Sequence, residues 1–175
     1  MTTRWLTDDE RGAWTRLVAI LELLPAALDA QLRRDAGLTH FEYFVLAMLS
    51  EADDRTLRMT TLAQRTNATL PRLSHVVRRL EERELVGRFS CPEDRRATNV
   101  RLTTKGRNAV VSAAPGHVAA VRELVVDALS AHQVAQLREI GDALLPRLDP
   151  QGRMTALYSD DSGRGAALSL SSNEK

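Results

Sequence analysis

The stretch over residues 60–104 constrains the fold more than any other part of the chain. It reads as a short helix, a turn, a second helix, and then two strands joined by an arginine-tipped loop. Thr60 or Thr61 starts the first helix, over residues 62–66, and Asn67-Ala68 makes the turn. Thr69 caps a second helix over residues 70–83, with Pro71 in its first turn, where a missing N–H costs nothing. At about 100° per residue, Leu73, Val76, Val77 and Leu80 share one face of that helix. Pro71, His75, Arg78 and Glu82 lie opposite, with Arg72, Ser74 and Arg79 beside them. Residues 85–90 and 98–102 alternate apolar and polar side chains with the period of a strand, and 91–97 connect them.

Charge singles out the same stretch. Residues 55–107 carry thirteen Arg or Lys against five acids, a net +8, whereas the whole chain carries +1, so everything else sums to −7. Positive charge gathered on one small module attracts a polyphosphate, because each neutralised phosphate releases a counterion. A module that binds only other proteins has no need of such focusing.

The flanks are helical. In residues 8–36, Trp14, Leu17, Val18, Leu21, Leu24, Leu28 and Leu32 recur at three- and four-residue steps and form one stripe. Thr7 followed by Asp8, Asp9 and Glu10 suits the helix start, Pro25 is expected to kink the helix, and Gly37 to end it. Such a stripe suits pairing with another chain, or covering this chain's own core. Thr39 to Glu42 is a capping box, and the helix behind it, residues 41–51, should be the most buried. Residues 57–59 read as a very short strand. After the hairpin, Thr103 or Thr104 starts a long helix that Pro115-Gly116 should kink or break. Ser130 to Gln133 is a further capping box, leading a helix with Val134, Leu137, Ile140, Leu144 and Leu148 that ends near Pro150.

Several classes of function are disfavoured. One cysteine makes no internal disulfide and no metal cluster by itself. His40, His75, His117 and His132 include no pair four apart on a helix, so no metal site is expected. There is no phosphate-cradling glycine loop, no Gly-x-Ser-x-Gly turn and no HExxH, and Asp53-Asp54 reads as a polar turn. We therefore expect no enzyme and no cofactor. No run of about 18 apolar residues predicts a membrane helix, and the N-terminus lacks an apolar signal region, so a cytoplasmic protein is expected.

Helix, turn, helix and an arginine-tipped hairpin make a winged helix-turn-helix. The order of these elements, together with several literal residues, resembles the MarR family of bacterial transcription regulators. The residues are Leu62-Ala63, Arg79-Leu80-Glu81-Glu82, Leu85-Val86, Asp94-Arg95-Arg96, Leu102-Thr103 and Lys105-Gly106. The resemblance spans roughly residues 8–148. It implies a mainly α fold with a small β-hairpin wing (α+β), and a homodimer whose first and last helices intertwine. It also implies that the second motif helix enters the major groove of double-stranded DNA while the wing enters the minor groove. Residue by residue, the groove-facing set is Thr69, Pro71, Arg72, Ser74, His75, Arg78 and Arg79, and the wing set is Asp94, Arg95 and Arg96. Arg72, Arg78 and Arg79 can donate to guanine edges or to phosphates. Arg96 suits a narrow minor groove, with Asp94 holding Arg96 or Arg95 in pose. The family usually has Gly where this chain has Glu84, so the second helix is expected to run on or end differently there.

The resemblance also implies a pocket where the dimer helices meet the DNA-binding lobe. Trp14, Leu17, Leu21, His40, Phe44 and Met48 would line it and receive a small apolar or aromatic effector. Plain core packing explains each of these residues as well. Cys91, beside Arg88, Arg95 and Arg96, reads either as a redox-tunable thiol or as an incidental one. The expected organisation is an N-terminal dimerisation helix (1–38), a winged lobe (39–106), C-terminal dimerisation helices (107–149) and a disordered tail (150–175). The expected function is a ligand-responsive repressor acting on a pseudo-palindromic operator. The alternative is a winged-helix protein–protein module without specific DNA binding.

Overall fold

The computed structural model describes residues 2–90 and 97–158. The first helix, α1 (Asp8–Ala36), starts on a capping box between Thr7 and Glu10 and stops at Gly37, whose φ of 62° only glycine adopts freely. It continues through Pro25 as one element. Only Leu28, Gln31 and Leu32, near its C-terminal end, are buried. Helix α2 (His40–Glu51) carries its own capping box between Thr39 and Glu42 and is the centre of the core. Tyr43, Val45, Leu46, Met48 and Leu49 are all but sealed from solvent. Each such side chain contributes about 1.5–3 kcal/mol by leaving water.

Strand β1 (Thr56–Arg58) leads directly into α3 (Met59–Arg65). The strand sits one residue earlier than expected and α3 starts earlier too. The N-cap is Arg58, without a side-chain bond, and Thr60 and Thr61 lie inside the helix. Asn67 turns the chain at φ 47°. Helix α4 (Leu70–Glu82) comes next, then strands β2 (Val86–Ser90) and β3 (Thr98–Leu102). The sheet is antiparallel in the order β1-β3-β2, with Leu57 opposite Val100 and Arg88 opposite Val100 on the other side. This is a winged helix-turn-helix with long helices before and after it.

Helix α5 (Thr104–Val121) is capped by Thr103 and passes unbroken through Pro115-Gly116, where a kink or break was expected. Val111, four residues before the proline, is 43% exposed, so water can serve the carbonyl that Pro115 leaves unbonded. Gly116 lies against α1: a Cβ there would meet Gln31 Nε2 at 3.3 Å. Gly116 therefore serves close helix packing. The chain instead breaks after a π-turn at Arg122–Val126, before Ser130 caps α6 (Ala131–Leu148).

By length and composition, the 23 residues Thr104–Val126 are long and apolar enough to cross a membrane. This corrects the expectation of no such helix. Here α5 packs on α1 and α2 and buries Val110, Ala113, Ala114 and His117 on one side. The tail expectation also needs correction. Thr155–Tyr158 form a short helix, α7, and residues 159–175 fall outside the described residues.

Candidate nucleic-acid interface

Helix α4 owes its orientation to its apolar side. Leu73, Val77 and Leu80 are fully buried, and Thr69 Oγ1 accepts the Arg72 backbone N–H at 3.4 Å to fasten the first turn. The outward side carries Thr69, Pro71, Arg72, Ser74, His75, Arg78 and Arg79, all exposed. The sequence thus separates a locking face from a presenting face on one helix.

The four cations on and beside this helix divide by what they touch. The Arg72 guanidinium lies 4.2 Å from the centroid of the Phe41 ring, a cation–π contact that restricts a flexible side chain. Arg78 is a loose neighbour of Glu82 at 3.9 Å. Arg79 reaches back to α2, 2.9 Å from Glu42, and Arg83 lies 3.6 Å from the same carboxylate. Glu42 is 2% exposed, and its other task is to accept the Thr39 N–H at 2.9 Å in the capping box. Arg79 is therefore engaged in holding α4 against α2.

The wing is bound to the same helix. Glu81 of α4 accepts the Arg88 backbone N–H at 3.1 Å and its guanidinium at 2.8 and 2.5 Å. The Arg88 bonds hold the Glu81 carboxyl below its usual range. On β3, Arg101 donates to Thr56 Oγ1 at 2.9 Å and stacks 4.9 Å from the Phe89 centroid. Sheet and reading helix therefore form one unit. Asp94, Arg95, Arg96 and Cys91 lie outside the described residues.

The corner between α4, the wing and α5 differs from the expectation. Glu84 takes the left-handed conformation, φ 60°, despite its side chain, and α4 ends just before it. Two contacts offset the strain. Lys105 Nζ lies 2.8 Å from the Glu84 carboxylate, and Thr103 Oγ1 donates to the Glu84 carbonyl at 2.8 Å. Gly106 completes the corner, since any Cβ there would overlap the Leu85 carbonyl.

The six residues expected to line an apolar pocket differ in their surroundings. Met48 is sealed in the core, Phe44 packs against that core, and Trp14, Leu17 and Leu21 are exposed on α1. His40 instead joins a small polar cluster. Its ring lies 6.0 Å from that of His117, which in turn lies 4.7 Å from the Tyr43 ring and is tilted 54° to it. His117 Nδ1 and Gln31 Oε1 are buried there without hydrogen-bond partners. Burial lowers the pKa of both histidines and pushes Tyr43 up to about 12. Among the described residues no three potential ligands gather to hold a metal ion.

Sequence reasoning missed Glu42 and the Glu81–Arg88 clamp. Glu42 was visible only as a capping residue, because its cationic partners lie far along the chain. Glu81 stands in the sequence only within the run Arg79-Leu80-Glu81-Glu82, and its seven-residue separation from a strand arginine has no meaning until helix and strand are packed.

Comparison with known proteins gives a consistent answer. Residues 38–98 match the model of the MarR family. A MarR family transcriptional regulator from Streptomyces coelicolor, Sco3205, solved in complex with DNA, is 42% identical. The superposition covers 86% of this chain and 94% of that one, with a TM-score of 0.82. AbsC, another MarR family transcriptional regulator from Streptomyces coelicolor, is 36% identical over 85% of this chain and all of its own, with a TM-score of 0.80. The HTH-type transcriptional repressor YetL of Bacillus subtilis is 26% identical over 61% of this chain and 64% of its own length. The chain thus spans a little under two thirds of that repressor.

Proposed function

The chain belongs to the MarR family, and on that premise we propose that it is a sequence-specific double-stranded DNA-binding transcriptional regulator. It acts as a homodimer on a pseudo-palindromic operator in the cytoplasm, as a repressor. The observation that carries this reading is the presenting face of α4, with Thr69, Pro71, Arg72, Ser74, His75 and Arg78 exposed over a fully buried opposite side. That face lies within the segment of net charge +8. Arg72 and Arg78 are the cations available for base edges or phosphates, while Arg79 positions the helix. Asp94, Arg95 and Arg96 keep their proposed role at the minor groove.

A second copy of the chain is the natural cover for the rest of the surface. Trp14, Leu17, Val18 and Leu21 on α1, and Val134, Leu137, Ile140 and Leu144 on α6, are all exposed in the single chain. An apolar surface of this extent on two helices marks an interface. We assign residues 1–38 and 107–149 to dimerisation and 39–106 to reading. Trp14, Leu17 and Leu21 then face the partner as readily as they face a ligand. A two-fold axis sets the two α4 helices into successive major grooves, about 34 Å or a multiple apart. A small apolar or aromatic effector that prefers another separation would draw the population away from the DNA-competent form.

The test is fluorescence anisotropy with duplexes from the DNA upstream of the protein's own gene, over a salt series, paired with sedimentation. A dimer that binds one duplex preferentially, and more weakly as salt rises, supports the reading. A monomer that ignores duplex DNA in dilute buffer removes it.

A further inference from the structure

Beyond α6 the chain doubles back onto the reading motif. It is built around Asp149. The Asp149 carboxylate accepts the Arg153 backbone N–H at 2.9 Å, the Met154 backbone N–H at 2.8 Å and the Tyr158 hydroxyl at 3.2 Å. Gly152 makes the reversal at φ 62°. These bonds, the Met154 N–H first, hold the Asp149 carboxyl below its usual range. The strap they close ends in α7, which packs on α3, the first helix of the motif.

The strap delivers one cation. Arg153 lines a cavity of about 380 Å³ together with Thr60, Gln64, Asn67 and Thr69, which come from α3, the turn and the cap of α4. Among the described residues no acid lines that cavity. Asp149 is 3.7 Å from the Arg153 guanidinium, but its side chain is only 10% exposed and already accepts three bonds, whereas that of Arg153 is 47% exposed. The positive charge therefore borders an open gap walled by the hydroxyls and amides of Thr60, Thr69, Gln64 and Asn67 together with Ala63, Ala68 and Leu70, beside the N-terminal end of the helix that reads DNA. That combination is complementary to a single anionic oxygen group.

We propose that Arg153 is a further DNA contact of this protein, binding a backbone phosphate beside the groove that α4 enters, and that the Asp149 strap exists to hold it there. The inference rests on the DNA-binding reading above. A phosphate contact made from the C-terminal side of α6 would also tie the position of each reading head to the end of a dimerisation helix.

The experiment uses the full chain and compares wild type, Arg153→Ala and Arg153→Lys by anisotropy on an operator duplex and a scrambled duplex, from low to moderate salt. Arg153→Ala should weaken both duplexes severalfold and to the same extent. It should reduce the slope of log K against log salt by about 0.9, the value for one lost phosphate. Arg153→Lys should restore the slope, and thermal melting should be alike in all three. An Arg153→Ala slope equal to the wild type's overturns the proposal, as does weakening confined to the operator duplex, which would mean base readout. If the wild-type chain binds neither duplex, the DNA-binding reading itself falls and this inference with it.

Discussion

The guanidinium of Arg79 on α4 stands 2.9 Å from the carboxylate of Glu42 on α2, thirty-seven residues earlier in the chain. Glu42 is buried and Arg79 is half exposed, so one residue of the presenting face is committed to the scaffold. The same carboxylate caps α2, and the start of the core helix and the tilt of the reading helix therefore depend on a single side chain.

Arg79→Ala and Arg78→Ala should separate cleanly. Removing Arg79 leaves the buried Glu42 with the longer Arg83 contact as its partner in charge beside the Thr39 capping bond, and should cost about 1–3 kcal/mol of stability in urea denaturation. It should leave the salt slope of DNA binding unchanged. Removing Arg78, whose neighbour Glu82 is a loose 3.9 Å away, should change stability by no more than about 0.5 kcal/mol and weaken DNA binding. The opposite pattern would show that Arg79 is the DNA contact and Arg78 the structural one.

Glu84→Gly should stabilise the protein. A non-glycine residue in the left-handed region costs roughly 1–2 kcal/mol, and glycine removes that cost. Some of the gain is offset by the lost exposed Lys105 pair and by a freer unfolded chain. A net rise of about 0.5–1 kcal/mol is expected by denaturant titration. A destabilised variant would mean that the Lys105 contact outweighs the backbone strain.

Gly106→Ala should act in the other direction. The added methyl would overlap the Leu85 carbonyl oxygen and meet Leu102 Cδ1 at 2.7 Å, and neither backbone nor core can yield cheaply. A loss of about 1–3 kcal/mol is expected, with the melting temperature as the readout. An unchanged melting temperature would show that α5 can slide away from the wing.

Stability should fall as the solution is acidified from about pH 7.5 to about 5.5. Burial sets the pKa of His117 and His40 below the ordinary 6.5, and Asp29 offsets this in part for His40. From about pH 7.5 upward both histidines are neutral in the folded and unfolded chains and contribute no pH dependence. Below it the unfolded chain binds protons that the folded chain resists, so stability is lost as pH drops toward the lowered values. His117→Gln should flatten the melting-temperature profile over this window. A wild-type profile already flat there would remove the buried pair as its cause.

Much of this fold is legible in the sequence because the signals are short-ranged. The capping boxes at Thr7, Thr39 and Ser130 each involve residues only three apart. The buried face of α4 comes from helical period alone, and the hairpin from alternation. Where sequence reasoning missed, a distant partner had changed the outcome. Glu84 bends against its own preference because Thr103 and Lys105 hold it, and Pro115-Gly116 stays helical because α1 needs the close approach. The composition of the segment after α6 suggests a disordered tail from residue 150, yet Asp149 folds residues 150–158 into a strap.

The chain's order of residues by itself determined that there would be a charged helix with one dry side, a hairpin after it, and apolar stripes on the flanking helices. Tertiary structure decided which arginine faces outward and which is drawn inward, and where the wing is fastened. It also decided that a C-terminal cation comes to rest beside the motif. The physical reason is range. Hydrogen bonds within a turn are encoded by neighbours, whereas the partner of a charge such as Arg79 is chosen only when burial has brought Glu42 within reach.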